Sequence, residues 1–350
     1  MAYTTIDDPS QYFQTVTYTG NGSQGHAITF DGNSDLQPDW LWGKERSQGG
    51  NHNLFDTSRG LDKRLTSDQV DAENTDSTTV TAMNTNGFTL GSSSNINESG
   101  VSTVAWCWKC NGGTTSSNSS GSITSTVQTN TTAGFSIVTY TGTGSAATIG
   151  HGLGVTPDLI IVKTRNNNVD WQVYLDLFGN DDEGLFLNLN NAKFNSTNYW
   201  NNGATNSVFG VSSNTGVGAN SYTYVAYCFA SIQGYSKIGS YTGNGNADGP
   251  FVYTGFKPAW VLIKRSDGGS ENWNLNDNKR SPINPTKIKL SPNTNGAEAE
   301  DTGYSIDFVS NGFKIRNDGG DHNSSGATYI YMAFAEHPFV SSEGVPVTAR

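Results

Sequence analysis

The stretch Tyr140-Thr-Gly-Thr-Gly144 has two close copies elsewhere in the chain, Tyr18-Thr-Gly-Asn-Gly22 and Tyr241-Thr-Gly-Asn-Gly245. Each copy follows a short run of strand-forming residues and enters a glycine turn, which indicates a β-strand that ends in a tight bend. A signal that returns at wide and similar intervals is typical of a chain built from internal repeats. This repeat decides the fold class.

Two further signals follow each of these turns, in the same order. The first is an apolar run that begins at proline and ends at lysine: Pro38-Asp-Trp-Leu-Trp-Gly-Lys44, Pro157-Asp-Leu-Ile-Ile-Val-Lys163 and Pro258-Ala-Trp-Val-Leu-Ile-Lys264. The second closes each repeat: Val104-Ala-Trp-Cys-Trp108, Val225-Ala-Tyr-Cys-Phe229 and Tyr331-Met-Ala-Phe334. Cys107 and Cys228 stand where the third copy has Ala333. We expect a small buried residue there, because a free cysteine behaves as a small hydrophobe.

These signals divide the chain into three β modules, at residues 12–110, 134–231 and 234–337. The stretch 111–133 is rich in Gly, Ser, Thr and Asn and carries no charged residue, so it predicts a flexible linker. Residues 1–11 form an N-terminal docking segment and residues 338–350 a C-terminal tail.

The apolar runs within a module are short and are bounded by turn residues. Runs such as 159–162 are continuously apolar, which favours strands buried on both faces. We therefore expect an all-β fold of three tandem antiparallel β-sandwich modules, jelly-roll-like in kind.

Composition narrows the class of protein. Hydrophobic residues make up 34% of the 350 residues and charged residues 15%, with 41 glycines, which excludes a coiled coil, a long helical bundle and a membrane span. Aromatic residues make up 11% and supply the large apolar surfaces that disordered segments lack. A net charge of −11 offers no basic surface for a phosphate backbone, so nucleic acid is not an expected partner. The first eight residues carry neither the basic nor the apolar region of a Sec-type signal, so none is expected.

Motifs for catalysis or metal binding are weak. Residues 20–25 match GxGxxG, but a strand rather than a helix is expected to follow. Cys107 and Cys110 form a CxxC that lacks the second half of a zinc site, and three cysteines give no disulfide framework. The acidic stretches 181–183 and 318–321 leave irregular calcium sites open. We predict a protein that is not an enzyme, with no catalytic residue, no assigned metal site and no cofactor.

Aromatic and amide side chains in the loops of the second and third modules form the candidate binding site. Flat apolar rings beside amide groups match the apolar face and the hydroxyl rim of a sugar. The residues predicted to bind glycan are Trp171, Tyr199, Trp200, Asn201, Asn202 and Trp273. The alternative for the tryptophans is that they pack against the core of the β-sandwich.

Several stretches of the N-terminal segment and the first module resemble a known family: Tyr3-Thr-Thr-Ile-Asp-Asp-Pro-Ser10, Phe55-Asp-Thr-Ser-Arg-Gly60, Asn86-Gly-Phe88 and Val104-Ala-Trp-Cys-Trp-Lys109. They are similar to the repeated β module of virion structural and tail-fibre-like proteins of marine tailed bacteriophages. The other two modules share the strand signals but lack Phe-Asp-Thr-x-Arg-Gly, for which 175–179 is the nearest counterpart in the second. The resemblance supplies no catalytic residues.

The resemblance implies an oligomeric virion component that is assembled in the host cytoplasm and displayed on the exterior of the particle, with other virion proteins as partners. We expect a tail-fibre or adhesin-type protein that attaches to a host-surface glycan, without membrane insertion. The alternatives are a purely architectural virion protein, such as a head decoration or tail spacer, and a polysaccharide depolymerase. The apolar residues Tyr3, Ile6, Tyr12 and Phe13 predict that the N-terminal segment docks on the virion or on a sister subunit.

Overall fold

Antiparallel strands account for the regular structure of residues 2–346, which the computed structural model describes. Met1 of the N-terminal segment and residues 347–350 of the tail lie outside the described residues. Helical structure is limited to short turns: α1 (Ser94–Asn97), α2 (Gly320–Asn323) and 3-10 turns at Pro9–Gln11, Asp176–Phe178 and Thr302–Tyr304.

The first repeat, residues 12–110, folds into one large and one small sheet. Its strands are β1 (Phe13–Thr19), β2 (His26–Ile28), β3 (Trp40–Glu45), β4 (Asn53–Asp56), β5 (Lys63–Thr66), β6 (Asn74–Thr75), β7 (Val80–Asn84), β8 (Gly87–Leu90) and β9 (Ser102–Trp108). The large sheet has the order β1-β9-β3-β4-β5-β6, and the small sheet has the order β2-β8-β7.

The second repeat, residues 134–231, has the same plan, with two strands added before it. The strands are β10 (Ser116–Asn118), β11 (Ser125–Asn130), β12 (Phe135–Thr141), β13 (Ala147–Gly150), β14 (Leu159–Thr164), β15 (Gln172–Leu175), β16 (Glu183–Phe186), β17 (Phe194–Asn195), β18 (Trp200–Ala204), β19 (Val208–Val211) and β20 (Thr223–Phe229). The large sheet has the order β10-β11-β12-β20-β14-β15-β16-β17, and the small sheet has the order β13-β19-β18.

The third repeat, residues 234–337, keeps the central order of the large sheet. Its strands are β21 (Ser236–Thr242), β22 (Phe251–Tyr253), β23 (Phe256–Arg265), β24 (Asn274–Asp277), β25 (Ile288–Lys289), β26 (Ala299–Glu300), β27 (Ile306–Val309), β28 (Gly312–Ile315) and β29 (Thr328–Pro338). The sheets have the orders β21-β29-β23-β24, β22-β28-β27 and β25-β26.

The closing strand occupies the same place in each repeat, between the opening strand and the proline strand. Cys107 lies opposite Gln14, Cys228 opposite Ser136 and Ala333 opposite Lys237. These pairs stand at the same step of their ladders, which confirms that the three small residues share one position. The cysteines are free and buried, as expected for small residues inside a strand.

The segment 111–133 is part of a sheet. Strand β11 pairs with the opening strand β12 and places Gln128 opposite Ile137. The Gln128 amide then donates to the Thr57 Oγ1 of the first repeat at 2.9 Å and to the Ser58 Oγ at 2.8 Å. The prediction of a flexible linker is therefore wrong, because these Ser and Thr residues find backbone partners along an available strand edge.

One central apolar cluster joins the three large sheets. Trp40 of the first repeat stacks on Tyr227 of the second at 4.6 Å between ring centroids, and Phe13 of the first stacks on Phe334 of the third at 5.1 Å. The other face of each large sheet packs on the small sheet of its own repeat. The proline strands β3 and β14 are buried along their whole length, which confirms strands covered on both faces.

The N-terminal segment packs on its own chain. Ile6 and Phe13 are 3% exposed and belong to the central cluster, against which Tyr12 also packs. Tyr3 Oη donates to the Gly255 carbonyl at 2.8 Å, and Thr4 Oγ1 donates to the Gln233 carbonyl at 2.8 Å. The predicted docking residues are thus held largely within the molecule, because the seam between repeats offers them an apolar surface.

Candidate functional site

Buried ion pairs lie where neighbouring repeats meet. Asp56 pairs with Arg59 at 2.5 Å and Asp277 with Arg280 at 2.6 Å, and all four side chains are fully buried. Each carboxylate also accepts a hydrogen bond from the next repeat, Asp56 from Tyr227 Oη at 2.7 Å and Asp277 from the Trp106 indole at 3.0 Å. The third repeat therefore has an Asp-x-x-Arg element at the equivalent strand position, although it lacks the full Phe-Asp-Thr-x-Arg-Gly sequence of the first repeat.

A glutamate completes each of these two clusters. Glu73 binds Arg59 at 2.8 Å and Arg165 of the second repeat at 2.9 Å. Burial acts to raise the pKa of Glu73, but the hydrogen bond from Arg165 and the charge of Arg59 outweigh it and lower that pKa below its ordinary value. Glu298 is the equivalent bridging carboxylate of the other cluster, because it binds Arg280 at 3.1 Å and Arg46 of the first repeat at 2.8 Å.

The second repeat departs from this pattern. By strand register, Leu175 stands where the other repeats have Asp56 and Asp277, and Phe178 stands three residues on, where they have arginine. Met332, which has no hydrogen to donate, stands at the step of the closing strand that Trp106 and Tyr227 occupy in the other repeats. The second repeat therefore lacks the buried ion pair, and the third repeat lacks the side chain that would donate a hydrogen bond to it.

An open polar groove of about 490 Å³ lies beside this altered loop. Its lining comes from the loop at 179–182, from Thr197 and from the start of strand β18 at 200–202. We call it the repeat-2 groove. It joins Asn201 and Asn202, two of the predicted glycan-binding residues, to Asp181 and Asp182.

Backbone geometry builds the groove. Asn202 and Gly203 have φ angles of 59° and 56°, and the register of β18 shifts between Trp200 and Ala204. Such a bulge bends the strand. A side chain at Gly203 would collide with the Asp181 carboxylate and with the Tyr174 hydroxyl, so glycine there allows the two loops to meet.

The groove is rich in hydrogen-bond acceptors. Burial and the nearby carboxylates of Asp176 and Asp181 raise the pKa of Tyr174, so its hydroxyl keeps its proton. That hydroxyl donates to Asp176 at 3.3 Å and to Asp181 at 3.4 Å. The groove lining carries two carboxylates and no cationic side chain. Such a surface suits the hydroxyl groups of a neutral ligand and repels anions.

The tryptophans predicted to stack on sugar are buried. Trp171, Trp200 and Trp273 are 0%, 2% and 1% exposed. The Trp171 indole donates across a seam to the Thr66 carbonyl at 2.9 Å, and the Trp273 indole to the Phe186 carbonyl at 2.9 Å. These rings cannot form open stacking platforms, so that part of the prediction is wrong and the core alternative holds.

Tyr199 lies apart from the groove. Its ring packs on Phe194 at 4.7 Å and on Phe186 at 6.0 Å. The sequence identified 181–183 as an acidic stretch, but it did not predict that this stretch lies beside residues 200–202. The available signal was the replacement of the Asp56 and Arg59 pair by Leu175 and Phe178 in the second repeat.

Within residues 2–346, no three His, Cys, Asp or Glu side chains converge as metal ligands. Of the other acidic stretch, Asp321 forms an ion pair with Lys289 at 2.7 Å. None of the described helices is long and apolar enough to cross a membrane.

One protein family matches residues 8–338, which include all three repeats. The chain belongs to this family, described as a domain of unknown function (DUF7483). The DUF7483 match treats the three repeats as one unit, in agreement with their shared central cluster. No curated protein and no solved structure matches the chain.

Proposed function

We propose that this DUF7483 protein is a virion structural protein of a tailed bacteriophage, of tail-fibre or adhesin type, that binds a neutral host-surface glycan through the repeat-2 groove. The observation that carries the proposal is the groove itself. Its amide and carboxylate groups lie beside the loop of the second repeat in which the buried Asp-Arg pair of the first and third repeats is replaced.

The architecture suits such a role. Each repeat is proposed to be one β-sandwich module, and the three modules share one central apolar cluster. Many copies of the chain on one virion would present many such grooves, and avidity would then arise from weak single contacts. The proposed site of display is the exterior of the particle, with other virion proteins and further copies of the chain as partners.

The test is retention of the full chain on immobilised host polysaccharides and neutral oligosaccharides. Asp181→Asn and Asn202→Gly remove groove groups while keeping the fold, because glycine accepts the positive φ of Asn202. We expect at least tenfold weaker retention for each. Asp318→Asn is the matched control, since it removes the same charge from an exposed residue of the third repeat.

A purely architectural role is the second candidate. It is favoured by the inward packing of the N-terminal segment, which leaves a compact block suited to a spacer or decoration. Absence of retention by the wild-type chain at any salt concentration, together with stable incorporation into particles, would favour this role over adhesion.

A further inference from the structure

A cleft of about 480 Å³ lies at the seam between the third and first repeats. Strand β1 contributes residues 13–15, and the other walls include 31–33, Lys279 and Glu336. We call it the β1 cleft. Lys279 forms an ion pair with Asp31 at 2.5 Å, and Lys257 forms one with Glu336 at 3.2 Å, so these four charged groups of the walls are already paired.

The outer edge of β1 is open along this cleft. Gly20 donates its N–H to the Val101 carbonyl, and Lys109 donates to the Tyr12 carbonyl, so the even-numbered positions face β9. The N–H and C=O groups of Thr15 and Thr17 therefore point away from β9. Within residues 2–346, β1 has β9 as its strand partner, and no hydrogen bond reaches those backbone groups.

The equivalent edge in the second repeat is covered. Strand β11 lies along the outer edge of β12, with Gln128 opposite Ile137. Ile137 pairs with Tyr227 as Thr15 pairs with Trp106, so Ile137 and Thr15 hold the same position. Among the described residues, the opening strand β12 thus has an added strand, whereas β1 and β21 lie at the edges of their sheets.

The residues that line the β1 cleft also correspond to the residues that surround β11. Thr57 and Ser58 follow Asp56 and bind the Gln128 amide, while 278–279 follow Asp277 and line the β1 cleft. Cys110 lies two residues after the last residue of β9, and its Sγ contacts the Gln128 carbonyl at 3.0 Å. Glu336 stands at the corresponding place in the third repeat and lines the cleft. The β1 cleft is therefore formed by residues equivalent to those around β11, but no strand occupies the position of β11 there.

We propose that the β1 cleft binds an extended, uncharged, Ser/Thr/Gln-type segment of another polypeptide, which adds to β1 as an antiparallel strand. Main-chain hydrogen bonds to Thr15 and Thr17 supply the affinity, as in other strand-addition complexes. Strand β11, Ser125-Thr-Val-Gln-Thr-Asn130, shows the chemistry that such a seam accepts. An uncharged segment fits because the cleft's lysines already hold carboxylates.

The test uses the full chain and a fluorescent peptide with the sequence of residues 122–131, followed by fluorescence polarisation. We expect saturable binding. Methylation of the peptide nitrogen at the Gln128 position removes an N–H that faces the opening strand and should weaken binding at least tenfold. Methylation at the Val127 position, whose N–H faces the other way, should leave it unchanged.

Hydrogen exchange and substitution give independent readouts. The amides of Thr15 and Thr17 should exchange fast in the free chain and slow on peptide binding. Thr15→Pro should abolish binding, because proline is tolerated at an unpaired strand edge but removes the donor. Ser240→Pro, at the corresponding outward edge of β21, is the matched control. No saturable binding, equal effects of the two methylations, or protection of Thr15 and Thr17 in the free chain would each overturn the proposal.

Discussion

Replacement of Asp277 by alanine should destabilise the whole chain. Asp277 is fully buried, pairs with Arg280 at 2.6 Å and accepts the Trp106 indole N–H at 3.0 Å. Its removal leaves a buried guanidinium and an unpaired indole. Loss of one partner from a buried ion pair costs roughly 3–5 kcal/mol. Because Arg280 keeps Glu298 at 3.1 Å, we expect about 3 kcal/mol.

The assay is urea unfolding followed by tryptophan fluorescence. Asp176→Ala is the internal control, because Asp176 is an aspartate directly after the equivalent strand β15 but is exposed, and it should change stability by about 0.5 kcal/mol or less. Since the large sheets share one cluster, Asp277→Ala should move one common transition rather than a fraction of the signal. Equal losses for the two variants, or separate transitions for the repeats, would refute this reasoning.

Three other predictions concern burial. Trp171→Ala should cost roughly 3–5 kcal/mol in the free energy of unfolding, and an unchanged urea midpoint would place its ring outside the core. Cys228→Ala should cost only about 1–2 kcal/mol, since Ala333 already occupies the equivalent position; a loss as large as that of Trp171→Ala would contradict the repeat alignment. Burial lowers the pKa of His322 from 6.5 to about 4, so the unfolded chain binds a proton in this range that the folded chain does not. Stability should therefore fall by about 3 kcal/mol from this residue as pH drops from 6.5 to 4, and His322→Gln should flatten the pH profile of unfolding.

The sequence by itself determined the all-β class and the order of the main strands. Glycine turns after Tyr18, Tyr140 and Tyr241, the apolar runs after proline and the closing strands are local signals, written in neighbouring residues. The match of Cys107, Cys228 and Ala333 followed from counting along each repeat, and the strand registers agree with it.

The tertiary structure decided which surfaces these strands share. A run such as 159–162 is apolar on both faces, so the sequence indicates burial but not what covers each face. Trp171 and Trp273 lie in the central cluster because the other repeats cover them, and 111–133 is ordered because β12 offers an open edge. The contact of Asp277 with Trp106 and the meeting of Asp181 with Asn202 in one groove also join residues that are not neighbours in the chain. Such contacts depend on how whole sheets pack, and short-range residue patterns do not encode that packing.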